Sequence, residues 1–318
     1  MRRAALFAGS IIVSLWSAAA PLYGWGSATH AYIASQLGDK PGATNLQEIY
    51  GALLPDVFNV MLGEPFQDHL WTQTHDQFMR VVENATSERD KAVACGFASH
   101  NEAWGADRTA HISSVTHPDT GYVTGKRDEL VAALEPQVRL FLIFSGVPNA
   151  SAVVKDMLPM VADSAIETAV DLLVCEHQDP GMGARLVLAA RGRGLSAPIL
   201  LNKAYAADFA VTAGVTEAVA TSLIVETETE FRRQMELYGT ALAQEEPMDS
   251  LAQQAVELAR LLLAAELGLA IDIPSDLMKQ ILEEATNLVK DDYAAELTAT
   301  ITRVRQELQS HGVTGANP

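Results

Sequence analysis

The chain has 318 residues, 48% of them hydrophobic, with 22 Lys and Arg against 40 Asp and Glu for a net charge of −18. That length buries a sizeable core and fits roughly two domains of about 100 to 200 residues each. The acidic balance opposes non-specific binding to nucleic acid or anionic lipid, so phosphate chemistry must draw on local positive charge, which bound divalent ions supply.

Arg2 and Arg3 precede an uncharged run from Ala4 to Ala20. The run is about 17 residues long, at the lower limit for a spanning helix, and nothing comparable comes after it. This reads as a secretory signal over residues 1–24, giving a secreted or periplasmic protein. Cleavage after Gly24 makes Trp25 the first residue, and its α-amino group and carbonyl then become metal ligands beside the His30 imidazole. Cleavage after Ala19 or Ala20 is the alternative, with Trp25 an ordinary aromatic anchor. Cys95 and Cys175 are compatible with one disulfide in an exported protein, and neither belongs to a Cys-x-x-Cys redox pair.

Helical periodicity dominates the chain and strand-like alternation is scarce, so the expected fold class is all-α. Residues 28–37 place His30, Ile33 and Ala34 on one face, and a second helix over 44–54 stops before Pro55. Helices are expected over 71–84 and 86–104, then a loop over Gly121–Gly125, then helices over 127–145 and 150–176. Gly181, Gly183, Gly192 and Gly194 punctuate the next stretch of chain. Beyond residue 195, helices rich in Ala, Leu and Glu run over 204–244, 249–268, 275–290 and 292–310, the third opened by Pro274-Ser275. This region has one histidine, His311, and no cluster of ligands, which points to scaffold or partner contact. The expected division is a signal over 1–24, a chemistry-bearing domain over 25–195 and a helical region over 196–318.

Seven of the eight histidines precede residue 178. His100, Asp107 and His111 are spaced so that one continuous helix would bring them to nearly the same face, and imidazole nitrogen with carboxylate oxygen is a zinc donor set. Asp56 follows Pro55 at an element boundary, where a helix cap is the competing role. His75 opens an amphipathic pattern, with His69 as its competitor. Asp163, Glu167 and Asp171 fall at i, i+4 and i+8 among apolar neighbours. Three carboxylates on one stripe repel one another, which favours a facing cation. Glu176 and His177 come one turn later and read as surface residues.

Together Trp25-Gly26-x-x-x-His30, Pro55-Asp56, His75, the Ser99-His100 to His111 block and Asp163-x-x-x-Glu167-x-x-x-Asp171 resemble the zinc-dependent phospholipase C family and the related zinc-dependent single-strand nucleases. The resemblance spans residues 25 to about 175 and implies an all-α enzyme that holds up to three zinc ions and hydrolyses phosphoesters. By position it implies one ion at Asp56, His75, His100 and Asp107. A second would sit at Trp25 and His30, bridged by Asp107, and a third at His111 and Glu167 with Asp163. Asp56 takes the place of a general base. Two departures stand out: six residues separate His100 from Asp107 where the family has three, which brings Glu102 into consideration, and Asp163 stands where the family has histidine.

The resemblance makes phospholipid or another phosphodiester the expected substrate, with transient contact at a membrane surface. A single-strand nuclease or 3′-nucleotidase, with nucleic acid as substrate, is the competing enzyme. An exported, non-catalytic metal-binding interaction protein is the reading from another class, motivated by the two departures. No Gly-x-Ser-x-Gly elbow and no Gly-x-x-x-x-Gly-Lys loop is present, which disfavours serine hydrolase and phosphate-loop chemistry.

Overall fold

The computed structural model describes residues 24–38, 42–61, 64–267 and 271–313, so the signal expected over 1–24 lies, Gly24 apart, outside the described residues. The fold is all-α, as expected, with no strand among the described residues. The chain opens with α1 (Ser27–Gln36), α2 (Gly42–Leu53), a 3-10 helix (Leu54–Met61), α3 (Gln67–Asp76) and α4 (Met79–Glu83). Next come α5 (Glu88–His100), α6 (Ala106–His111), α7 (Tyr122–Phe144) and α8 (Ala150–Leu173), the last running into a π-helical turn (Val174–Gln178). The remainder is α9 (Met182–Gly192), α10 (Ser196–Ala213), α11 (Glu217–Leu242), α12 (Pro247–Leu267), α13 (Ser275–Val289) and α14 (Tyr293–Ser310).

Four expected elements differ, each for a local reason. The helix expected over 71–84 is two, because Gln77 leaves helical geometry after α3 and the chain restarts at Met79. The helix expected over 86–104 begins with a Ser87–Asp90 capping box and stops at His100. There Asn101 turns extended, and its side-chain oxygen takes the Trp104 and Gly105 amides at 2.9 and 3.3 Å, a side-chain turn that competes with the helix. The loop expected over 121–125 is a helix start: Gly121, at φ 74°, occupies the cap position and α7 begins at Tyr122. The helix expected over 204–244 breaks at Gly214, whose left-handed φ of 64° ends α10, and Thr216 then caps α11.

Helices α2 and α5 cross backbone to backbone. A Cβ on Gly51 would lie 2.2 Å from the Val93 carbonyl, and one on Gly96 would lie 2.0 Å from that of Glu48. Only glycine permits this approach, and it carries the end of α5, with His100, against the end of α2. Helices α7 and α8 form a long hairpin with α13 along it, α11 lies on α9, and α14 touches α1, α5 and α6. One contiguous buried cluster runs from Trp25 to Val313, so helices on both sides of residue 195 share a core. Cys95 and Cys175 form no disulfide. No single helix among the described residues is long and apolar enough to cross a membrane.

Candidate metal centre

Five elements converge on one buried place. The 3-10 helix after Pro55 supplies Asp56, α3 supplies His75 near its C-terminus, and α5 supplies His100 as its last residue. Helix α6 contributes Asp107 in its first turn, and α1 contributes His30. All five side chains are nearly or fully buried, His100 and Asp107 completely. The expectation that His100, Asp107 and His111 share one helix is overturned. The Asn101 turn separates α5 from α6, and this turn, rather than helical phase, absorbs the six-residue spacing.

His75 Nε2 lies 3.7 Å from Asp56 Oδ1, and His100 Nε2 lies 3.7 Å from Asp56 Oδ2. These separations are too long for hydrogen bonds and near the edge of roughly 3.4 Å of a tetrahedron with ~2.1 Å bonds to a shared ion. Asn59 donates to Asp56 Oδ1 at 3.0 Å and orients it. His30 Nε2 lies 3.1 Å from Asp107 Oδ1 and His100 Nε2 lies 2.8 Å from Asp107 Oδ2, so Asp107 spans both histidines. The His30 and His100 rings stack at 4.0 Å between centroids. His69, the competitor of His75, belongs to none of the ligand groups among the described residues.

A second cluster forms where α6 ends against α8: ligand atoms of His111, Asp163 and Glu167 all lie within 4.8 Å of one another. His111 Nδ1 contacts Glu102 Oε1 at 3.1 Å, so Glu102 serves as a partner of His111. Asp171, the third carboxylate of the expected stripe, does not join them. It turns to the N-terminus of α1, accepting the Ala28 and Thr29 amides at 2.8 and 2.7 Å. Glu176 and His177 are exposed, as expected.

Trp25 is fully buried, its indole stacked on Tyr122 at 5.3 Å and its Nε1 donating to the Ala106 carbonyl and the Thr109 hydroxyl. This anchor pins the adjoining backbone at the centre. A Cβ on Gly24 would fall 2.4 Å from Asp107 Oδ1, and the Gly24 amide donates to Glu167 Oε1 at 2.9 Å. The Trp25 nitrogen is a peptide nitrogen while Gly24 precedes it, so an α-amino ligand exists only after the 24–25 bond is cut.

Whether these residues fit an ion can be tested on their unused atoms. His100 Nδ1 is bonded to the Ala52 carbonyl at 2.8 Å and His75 Nδ1 to the Trp71 carbonyl at 2.9 Å. In the neutral tautomer this bonding selects, each ring directs an Nε2 lone pair inward. The inward nitrogens of His30, His75 and His100, both oxygens of Asp107, Oδ1 of Asp163 and Oε2 of Glu167 are buried without a hydrogen-bond partner. Acceptors facing acceptors in a buried site call for a shared proton or a cation, and histidines held through their other nitrogen are how metal sites are built. The residues fit.

Electrostatics agree. Burial pushes Asp56 up against the pull of His100 and His75, and burial followed by repulsion from Asp163 pushes Glu167 well up. Burial and then His100 lower His30 to about 4. Burial alone would lower His100, but Asp107 and Asp56 outweigh it and hold it at about 9, while His100 and His30 outweigh burial to depress Asp107. Burial raises Asp163, opposed by His111 and by Arg127, whose Nη1 lies 3.8 Å away. A divalent charge relieves these conflicts together.

Sequence reasoning missed Asn59, Trp71 and Tyr238. Only Asn59 left a local signal, three residues after Asp56 on a helical turn. Compared with known proteins, the chain matches no family model, no curated protein sequence and no solved structure.

Proposed function

We propose that this protein is an exported, zinc-dependent phosphodiesterase of phospholipase C type. The observation that carries the reading is the set of buried, partnerless donor atoms on His30, His75, His100, Asp107, Asp163 and Glu167, which fall in three ligand groups, two of them sharing His100. A lone carboxylate cluster would not orient its histidines through carbonyl oxygens. Zinc bound at these donors supplies Lewis acidity toward phosphate oxygens and makes water acidic enough to attack near neutral pH.

The chain's own residues supply the rest. Asp56, held by Asn59 and facing two imidazoles, is placed to accept a proton from attacking water; the other side chains hold and orient. Asp107 links the His30 and His100 sides and keeps them in register. Ala52 and Trp71 carbonyls fix the ring orientations, so the donors need little rearrangement on binding. The test is hydrolysis of a chromogenic phosphocholine ester by processed, zinc-loaded protein. Metal uptake without turnover on phospholipid, chromogenic ester or nucleotide would favour the non-catalytic metal-binding protein.

Single-strand nuclease activity is the second reading, and Trp71 favours it. Its indole stacks on His75 at 4.0 Å while keeping partial exposure, the kind of face on which a base stacks. Parallel assays on single-stranded DNA and the phosphocholine ester separate the two.

A further inference from the structure

Helix α1 carries His30 but has no cap of its own, because Gly26 occupies the cap position and offers no side chain. Asp171 of α8 supplies one from across the molecule. Its Oδ2 accepts the Ala28 amide at 2.8 Å, and its Oδ1 accepts the Thr29 amide at 2.7 Å and the Thr29 hydroxyl at 2.6 Å. Tyr238 of α11 donates its hydroxyl to Oδ2 at 2.9 Å, which fixes the carboxylate from behind. Both residues are buried, and a carboxylate at a helix N-terminus also complements the helix dipole.

The fit leaves no slack. A Cβ on Gly26 would lie 2.6 Å from three atoms of the Asp171 carboxylate, so glycine is required for the close approach. One residue before Gly26 is the buried Trp25, and one turn after it is His30, 3.1 Å from Asp107. A helix of ten residues is marginal by itself, so its orientation is set by what holds its ends. We infer that Asp171, backed by Tyr238, is a positioning residue that aims the Trp25 end and His30 at Asp107. The inference rests on the metal-centre reading above. It also gives the C-terminal helices a task, since α11 holds the group that holds α1.

The test compares full-length processed protein, wild type, Asp171→Asn and Tyr238→Phe, for zinc equivalents retained after gel filtration and for amide exchange at Ala28 and Thr29. Asp171→Asn should lose one zinc equivalent while keeping the others, with exchange at the two amides accelerated at least tenfold. Tyr238→Phe should move both readouts in the same direction by less, and it serves if the Asn variant fails to fold. Met278→Ala, a core change beside the apolar cavity between α7, α8, α12 and α13, controls for general destabilisation and should leave the zinc count intact. A wild-type zinc count in Asp171→Asn, or a uniform loss of all zinc matching that of the Met278 variant, would overturn the inference. If wild-type protein takes up no zinc, the metal-centre reading fails by itself, and unchanged exchange at Ala28 and Thr29 would then overturn the positioning role.

Discussion

The Nε2 atom of His100 faces Asp107 Oδ2 across 2.8 Å, while its Nδ1 is already bonded to the carbonyl of Ala52. Such a pair is satisfied only by adding a proton to the ring or by placing a cation beside both atoms. The proton route explains why His100 is held at about 9 when no cation is present. The cation route satisfies Asp56, His75 and His30 as well.

Chelation should therefore destabilise the processed protein. An ion at a thousandfold excess over its Kd stabilises by about 4 kcal/mol, which corresponds to a drop of roughly 6 °C in Tm when it is removed from a chain of this size. Calorimetry with and without chelator checks this, and an unchanged Tm would count against a resident metal.

Asp56→Asn should lower kcat by roughly 10² to 10⁴, the usual worth of a positioned base. Because Asp56 is not among the donors of the His30, His100 and Asp107 group, that side of the centre should retain its metal. Steady-state kinetics with metal analysis of the same sample decides; near wild-type kcat would remove Asp56 from the role of base.

Asp163→His should tighten zinc binding at the His111 and Glu167 group. The change removes the carboxylate whose charge helps push Glu167 upward and adds a softer nitrogen donor. Slower zinc loss on dialysis is the expected outcome, and faster loss would show that Asp163, beside Arg127, already suits the site.

Asp171 gives a pH signature. Burial raises its pKa to about 6 against the pull of Thr29, Ala28 and Tyr238. Native Asp171 therefore holds a proton at pH values where the unfolded chain has released it. Its stability contribution is full below about pH 4 and is lost as pH rises through about 6. Relative to Asp171→Asn, metal-free wild type should lose about 2 kcal/mol between these limits. Denaturant unfolding of both proteins across pH 4 to 7 measures the difference, and a flat difference would refute the assignment.

Gly26→Ala should reproduce the loss of one zinc equivalent, because the added methyl collides with the Asp171 carboxylate. Overpacking of this kind costs about 1 to 3 kcal/mol. Wild-type stability together with a wild-type zinc count would show that the carboxylate can move aside.

The all-α class, most of the helix positions and the residue types of the centre were legible in the sequence. Helical periodicity and the Pro and Gly breaks are local properties, and so is the pairing of His with Asp or Glu at recurring spacings. Asp163 and Glu167, one turn apart on α8, meet as the spacing suggests. His100 and Asp107 meet for another reason: Asn101 unwinds the chain between them, and a side-chain turn of this kind leaves a weaker signal than periodicity, while His111 goes to the second cluster.

What the sequence by itself determined is which elements form and which side chains are available as donors. Only the tertiary structure decided which donors share a site. Asp171 reads like its neighbours Asp163 and Glu167, yet its place near the C-terminal end of α8 puts it under the bare N-terminus of α1, where backbone amides claim it. Its partner Tyr238 lies 67 residues further along, and the Ala52 carbonyl reaches His100 only because Gly51 and Gly96 let two helices touch. Such contacts depend on how helices cross, which is set by packing across the whole core and leaves no periodic trace in the chain.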